Sequence, residues 1–497
     1  MKEKHSVAFN FVMNFILTTS SLVVPLITFP YVSRVLLPVG NGKVASATAI
    51  VSYLSMICML GIPTYGIRVC AQVRDDREKL SRTVQEILII NVVMMAAVYL
   101  AFGASLYLIP QFAEDRTLLV IMSSAILLNV IGVNWLYSAL EEYAYITVVS
   151  LAFKVASVVL MFLFVRSQED YLIYGGITIL SNVGSYVLNF FRLGRYITLR
   201  PMGNYNLRRH LKPIGVFCAM TVATSIYTNL DVVMLKFISG DEQVGFYNVG
   251  VKVKTIVAGL VTSLGAVLLP RLSYYIEKGR QEEFMRMVSK ALGGVCIMSL
   301  PLTVYFMMFA RESIELLSGV AYEPAIVPMC IIMPTIVFIG VSNLLGMQVL
   351  VPTNREQDVL KSVIVGSIVD LVLNLALIPK YGASGASVGT LAAEFAVLFV
   401  QMLFLRKFLA KIKSDFHIVY YIVALLPAVG GSWWMRRILV SVLAAGVSLM
   451  WRHFMVLAVT GVVFFGVYGG MLLVMGEPIV KEYAIPYLRK VMRRGVS

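Results

Sequence analysis

The sequence predicts an all-α integral membrane protein with about fourteen transmembrane helices built on an internal repeat. Three observations carry that expectation. The chain is 59% hydrophobic and only 14% charged over 497 residues, too little polar surface for a soluble protein of this size. Apolar stretches of roughly 20 residues recur along its length, each long enough to cross about 30 Å of hydrocarbon. Finally, one pattern occurs twice in the same order. Arg34 ends an apolar run, Gly42 follows, a second run breaks at Gly61, Arg68 comes next, and a basic loop ends Leu80-Ser81-Arg82. Lys236 ends another run, followed by Gly245, a break at Gly265, Arg271 and a basic loop ending Phe284-Met285-Arg286. Two parallel copies of a helical unit point to a transporter whose halves rock about a shared cavity.

Taken in order, the first expected span is 8–33. Lys2 and Lys4 precede it, but its length and the lack of a small-residue cleavage site argue against a removable signal peptide. Pro25 and Pro30 would kink it, and Gly61 with Pro63 would kink the second, 43–66. The next spans are 84–109, 117–138, 143–165 and 170–190, then 213–238, 245–271 and 290–309. Span 324–350 carries Pro324, Pro328 and Pro334, and 359–379, 383–405, 417–435 and 453–475 complete the set. The stretch 436–452 opens with Arg436 and Arg437 and is too short to cross, so it is expected to lie in the outer interface. From Lys481 to Arg494 a basic amphipathic helix is expected on the inner surface.

Charge tests this count. The segments assigned to the inside hold 28 Lys and Arg, and those assigned to the outside hold 9. The bias places both termini in the cytoplasm. It also explains the formal net charge of +15 as membrane topology rather than nucleic-acid binding. Trp433, Trp434 and Trp451 flank the last outer segment as an aromatic belt would. The five cysteines lack metal or disulfide spacing, and the four histidines lie at span edges without a metal-type partner. No cofactor is expected. No outer segment is large enough to hold catalytic groups, which argues against an embedded glycosyl enzyme.

Several stretches resemble one superfamily. They are Pro30-Tyr31-Val32-Ser33-Arg34-Val35-Leu36, and Gly61-Ile62-Pro63-Thr64-Tyr65-Gly66-Ile67-Arg68 followed by Arg74-Asp75-Asp76. Asn229-Leu230-Asp231 and Tyr381-Gly382-Ala383-Ser384-Gly385-Ala386 add to them. They resemble the polysaccharide flippases of the multidrug/oligosaccharidyl-lipid/polysaccharide exporters, most of all the Wzx-type O-antigen and capsule-repeat flippases. The resemblance implies a V-shaped pair of six-helix lobes, residues 1–212 and 213–416, with two further helices and a tail over 417–497. It implies movement of an undecaprenyl-diphosphate-linked oligosaccharide between leaflets of a bacterial plasma membrane, beside polysaccharide polymerase and assembly proteins. A lipid II-type flippase and a multidrug or cation antiporter are the alternatives.

Ionisable residues within spans are costly and default to function. Arg34, Arg68, Lys154, Lys252 and Lys254 are the candidate substrate-binding set, since Arg offers a bidentate fork and Lys a point charge to a diphosphate. Their spans line the cavity in the family this chain resembles. An antiporter for cationic drugs would want acidic lining instead. The competing reading for the two arginines is snorkelling to headgroups. Asp231, Asp370, Asn374, Thr390 and Glu394 form the candidate coupling set. Asp231, Asn374 and Thr390 fall at a similar depth, and Asp370 and Glu394 lie one turn from Asn374 and Thr390. Their oxygens suit a hard cation such as Na⁺, and similar spacing binds a cation in lipid II flippases. Protonation of Asp370 or Glu394 is the rival coupling mode. A pairing of Asp231 with Lys252 or Lys254 is the structural alternative.

Overall fold

The computed structural model describes residues 7–411, 417–443 and 448–481. These residues are predominantly helical, with no strand among them. They divide into two compact units, Met1–Gly245 and Phe246–Ser497. Among the described residues, nine helices are long and apolar enough to cross a membrane, or up to eleven when each of two bent pairs is taken as one span. The protein is a multi-pass membrane protein.

The first unit opens with α1 (Val7–Met59), which takes in two expected spans. They are separated by a single non-helical residue, Leu37 (φ 57°, ψ 179°), in place of the expected loop 34–43. Pro38 explains the position of the break. Its ring crowds the residue before it out of the helical region. A sharper stop falls at Leu60 (φ 48°) and Gly61 (φ 74°), after which Pro63 starts α2 (Ile62–Val73). Gly61 answers two demands, a left-handed backbone and a neighbour too close for a Cβ. The Phe217 carbonyl carbon would lie 2.5 Å from that atom.

Asp76 caps α3 (Arg77–Leu108) by accepting from the Glu78 and Lys79 amides at 3.0 and 3.1 Å. Next come α4 (Arg116–Gly132), α5 (Asn134–Ala139) and α6 (Tyr143–Phe164). The sixth expected span is a bent pair, α7 (Tyr171–Val183) and α8 (Tyr186–Arg192). A strap then crosses back to α9 (Arg208–Ser239). It is fastened to α3, where Ser81 Oγ accepts from the Thr198 amide at 2.9 Å and Gln85 Nε2 donates to the Thr198 and Arg200 carbonyls.

The repeat becomes visible where α9 ends. A Cβ on Gly42 would sit 1.8 Å from the Asp241 carbonyl oxygen, and one on Gly245 would sit 2.1 Å from that of Pro38. The two glycines paired by sequence are thus pressed against each other's flanking backbone.

The second unit holds most of α10 (Asp241–Glu277), then α11 (Gln281–Met308) and α12 (Ala310–Ser318). The proline-rich tenth span is broken as its composition suggests. A 3₁₀ turn leads to α13 (Ile326–Ile332), and α14 (Thr335–Asn343) follows at a 44° bend and unwinds into a π-helical segment, Leu344–Leu350. In α15 (Glu356–Phe404) two spans run together and fold back at Gly382 (φ 52°). Its two arms approach closely, because a Cβ on Gly385 would lie 2.6 Å from the Leu377 backbone.

After the short α16 (Arg406–Leu409) come α17 (Ile418–Val442) and α18 (Leu449–Met475). Arg436 and Arg437 do not end α17. The helix carries them past the expected stop, and Arg436 Nε pairs with Glu312 at 2.6 Å. Cation pairing removes the reason to leave the helix there. His453 Nε2 meets Glu315 at 2.8 Å, and the Tyr305 hydroxyl donates to the Leu457 carbonyl at 2.6 Å, so both last helices belong to the core of this unit. The expected amphipathic tail beyond Lys481 lies outside the described residues.

Candidate functional site

Lys154 stands at the middle of α6 and is only 6% exposed. A seam of hydrogen bonds between α6 and α1 positions it. Thr147 Oγ1 donates to the Met13 carbonyl at 3.0 Å, and at the far end the Tyr31 hydroxyl donates to the Val165 carbonyl at 2.8 Å. Between them, two turns beyond Thr147, the Lys154 ammonium donates to Ser20 Oγ at 2.8 Å and Ser21 Oγ at 2.7 Å. Burying a charge is costly unless it is hydrogen-bonded or paired. Here hydroxyls alone do the bonding, and among the described residues no carboxylate comes within 4.0 Å.

The other cationic candidates are placed differently. Arg34 is half-buried and turns its guanidinium back to the Pro30 carbonyl at 2.7 Å, four residues earlier in α1. Arg68 is exposed on α2. Both fall in the first unit with Lys154. Lys252 and Lys254 are half-buried on α10, in the second unit, with buried Val253 between them.

The acidic candidates divide likewise. Asp231 is buried on α9 in the first unit. The other four are buried together along the two arms of α15. Gly389 brings two of them close, since a Cβ there would lie 2.2 Å from Asn374 Oδ1 and 3.2 Å from Asp370 Oδ1. Thr390, next to it, shares a hydrogen bond with the Tyr247 hydroxyl at 2.8 Å. A carboxylate and an amide oxygen converging on a bare glycine in a buried hairpin make a cluster of the hard-oxygen type that cations prefer.

Residues 7–276 match the sequence profile described as "Polysaccharide biosynthesis protein". The chain belongs to that family. It is 24% identical over 389 residues to a protein of Escherichia coli strain K12 named "Putative O-antigen transporter", covering 78% of this chain and 94% of that one. A Shigella dysenteriae protein of the same name is 25% identical over 406 residues, 78% of this chain and 97% of its own. Among solved structures, the lipid II flippase MurJ in an inward closed conformation superposes with a TM-score of 0.70 over 93% of this chain and all of the MurJ chain. At 11% identity that likeness speaks for the fold alone.

This polysaccharide biosynthesis protein also contains two buried charge clusters that sequence reasoning missed. At one end of α9, Lys236 and Lys43 both meet Asp115, which is 3% exposed, with Lys43 Nζ at 3.3 Å. Lys236 further pairs with Asp241 at 2.6 Å, and Ser46 Oγ donates to the other Asp241 oxygen at 3.1 Å. At the other end, Glu86 on α3 accepts from Arg209 Nε at 2.9 Å, His210 Nε2 at 2.7 Å and the Asn206 amide at 2.7 Å. The Tyr65 hydroxyl closes the set by donating to His210 Nδ1 at 2.7 Å. Burial pushes the His210 imidazole below its usual pKa, against the pull of the Glu86 hydrogen bond and with the help of the Arg209 charge. Helix α9 is thus ion-paired at both ends to the first repeat. Lys236 did stand out in the sequence as the counterpart of Arg34. Nothing in the sequence marks its partner, which lies 121 residues away.

Proposed function

We propose that this protein is a flippase. It moves undecaprenyl-diphosphate-linked oligosaccharide repeat units from the inner to the outer leaflet of the bacterial plasma membrane by alternating access. The observation that carries the reading is the buried Lys154 ammonium, bonded to hydroxyls without a carboxylate at the centre of a membrane helix. An uncompensated positive charge at mid-depth suits an anionic headgroup and repels a cationic drug. The cargo class is supported by the two relatives named for O-antigen transport, matched over nearly their whole lengths. In this reading Arg34 and Arg68 join Lys154 as diphosphate-binding residues of the first unit, Lys252 and Lys254 are the basic candidates of the second, and both termini face the cytoplasm. The lobes are 1–212 and 213–416, and residues 417–497 supply the last two helices and the tail. Coupling to Na⁺ or H⁺ falls to Asp370 with Asn374, Thr390 and Glu394 in the second unit, and Asp231 is the acidic candidate of the first. The Asp370–Asn374–Gly389 convergence supports it.

The test uses cells lacking the protein. Wild-type protein restores export. Lys154→Glu at equal abundance leaves lipid-linked repeat units on the inner leaflet. Normal export by that variant removes Lys154 from the site. Drug sensitivity without accumulation of lipid-linked oligosaccharide in the deletion strain overturns the cargo assignment in favour of an antiporter. For coupling, transport by Asp370→Ala loses its dependence on a sodium or proton gradient, and an unchanged dependence refutes the role.

A further inference from the structure

The Ser20–Ser21 pair has a chemistry of its own. A hydroxyl carries one proton and two lone pairs. Ser20 Oγ donates its proton to the Leu17 carbonyl at 2.6 Å, and Ser21 Oγ donates to the same carbonyl at 3.1 Å. Each hydrogen is turned back into α1, so only lone pairs face Lys154. The pair is therefore an acceptor surface without charge. It takes two of the three ammonium protons. It fixes the direction of the charge without neutralising it, which an Asp or Glu in the same place would do. Ser20 is buried and Ser21 is exposed, so the ammonium sits at the edge of the α1–α6 seam rather than sealed within it.

We infer that Ser20 and Ser21 are positioning residues for recognition of the anionic headgroup, forming a neutral cradle that aims Lys154 at a phosphate oxygen while leaving its charge available. The inference rests on the reading of Lys154 given above and adds a determinant that selects phosphorylated lipid over neutral lipid. A phosphate oxygen takes the remaining ammonium proton in a charge-assisted bond, the stronger kind.

The test measures binding of two probes, undecaprenyl diphosphate and the uncharged undecaprenol, to the purified full-length protein in lipid nanodiscs. Transport of lipid-linked repeats is followed in cells in parallel. Changing both serines to alanine (S20A with S21A) raises the half-saturation for undecaprenyl diphosphate about tenfold, as loss of two oriented bonds to a charged group would. Undecaprenol binding stays unchanged. Changing both to threonine, which keeps the hydroxyls, retains wild-type affinity. Ser21→Asp supplies a counter-charge and lowers diphosphate binding as far as Lys154→Ala does.

If the double alanine variant is less heat-stable but binds the diphosphate like wild type, the serines only pack the seam and the inference fails. Should Ser21→Asp bind normally, it fails as well. If Lys154→Ala itself binds normally, the underlying reading of Lys154 is the one that falls. Where the double variant does not fold, Ser21→Ala at its exposed position gives the same comparison, with a shift of about threefold expected.

Discussion

His210 and Gly389 are two residues whose surroundings fix the outcome of a measurement. The folded state holds the His210 imidazole below its usual pKa. A group of this kind stabilises the fold fully above its ordinary pKa of about 6.5, and the contribution is lost as the pH falls through that value toward the lower folded one. Thermal stability in detergent should therefore decline below about pH 6.5, and His210→Gln should flatten that part of the profile. An unaltered profile would mean that another group titrates there. Asp76 is held below the usual carboxylate range by the Lys79 and Glu78 amides it caps. Its contribution disappears only at more acid pH, so the two windows can be told apart. At Gly389 the added methyl of Gly389→Ala meets the Asn374 and Asp370 oxygens. Overpacking of this sort costs about 1–3 kcal/mol, and a shift in unfolding midpoint reads it out.

Among the elements, α9 is the one whose allegiance could not be read from the chain. By sequence it opens the second repeat, yet its ends are ion-paired to Glu86 and Asp115 of the first. Periodicity and hydropathy report where a helix runs, whereas partner choice depends on side chains brought together from far apart. The Asp115 cluster makes this measurable. Asp115→Ala takes away the carboxylate that Lys43 pairs with and leaves Lys236 with Asp241 alone, and removing one member of a buried pair costs about 3–5 kcal/mol. Replacing Asp115 and Lys236 together with Leu and Met should restore most of the loss. Equal instability of the single and double variants would show that shape, not charge, holds α9 there. The break in α1 was legible only in part. Pro38 was visible, but whether a proline stops a helix or merely interrupts it depends on the residues C-terminal to it, and α1 resumes within one residue. At Arg436 the expectation that paired arginines end a span failed for a related reason, since Glu312 neutralises one of them within the helix.

For the molecule as a whole, the membrane class, the all-helical fold and the broken tenth span could be read from composition, run length and proline placement. The basic residues of the candidate site were legible too, because an ionisable residue in an apolar run stands out. Their surroundings were not. Ser20 and Ser21 are ordinary residues in a membrane helix until the α1–α6 register brings them against Lys154. Topology offers a global check. The threefold bias of Lys and Arg predicts that a fluorescent protein fused after Ser497 matures and fluoresces, while alkaline phosphatase at the same place stays inactive. The opposite result would reverse the orientation of every span.

The paired glycines bear on how this region yields. Exchange Pro38 with Asp241 and Gly42 with Gly245, and the contact maps onto itself. Whatever pries one half of such an arrangement apart also opens the other, so the two close approaches behave as a single cooperative event. Gly42→Ala and Gly245→Ala should then be strongly non-additive, the second methyl adding little to the damage done by the first. Additive losses in the double variant would mean that the two approaches yield separately.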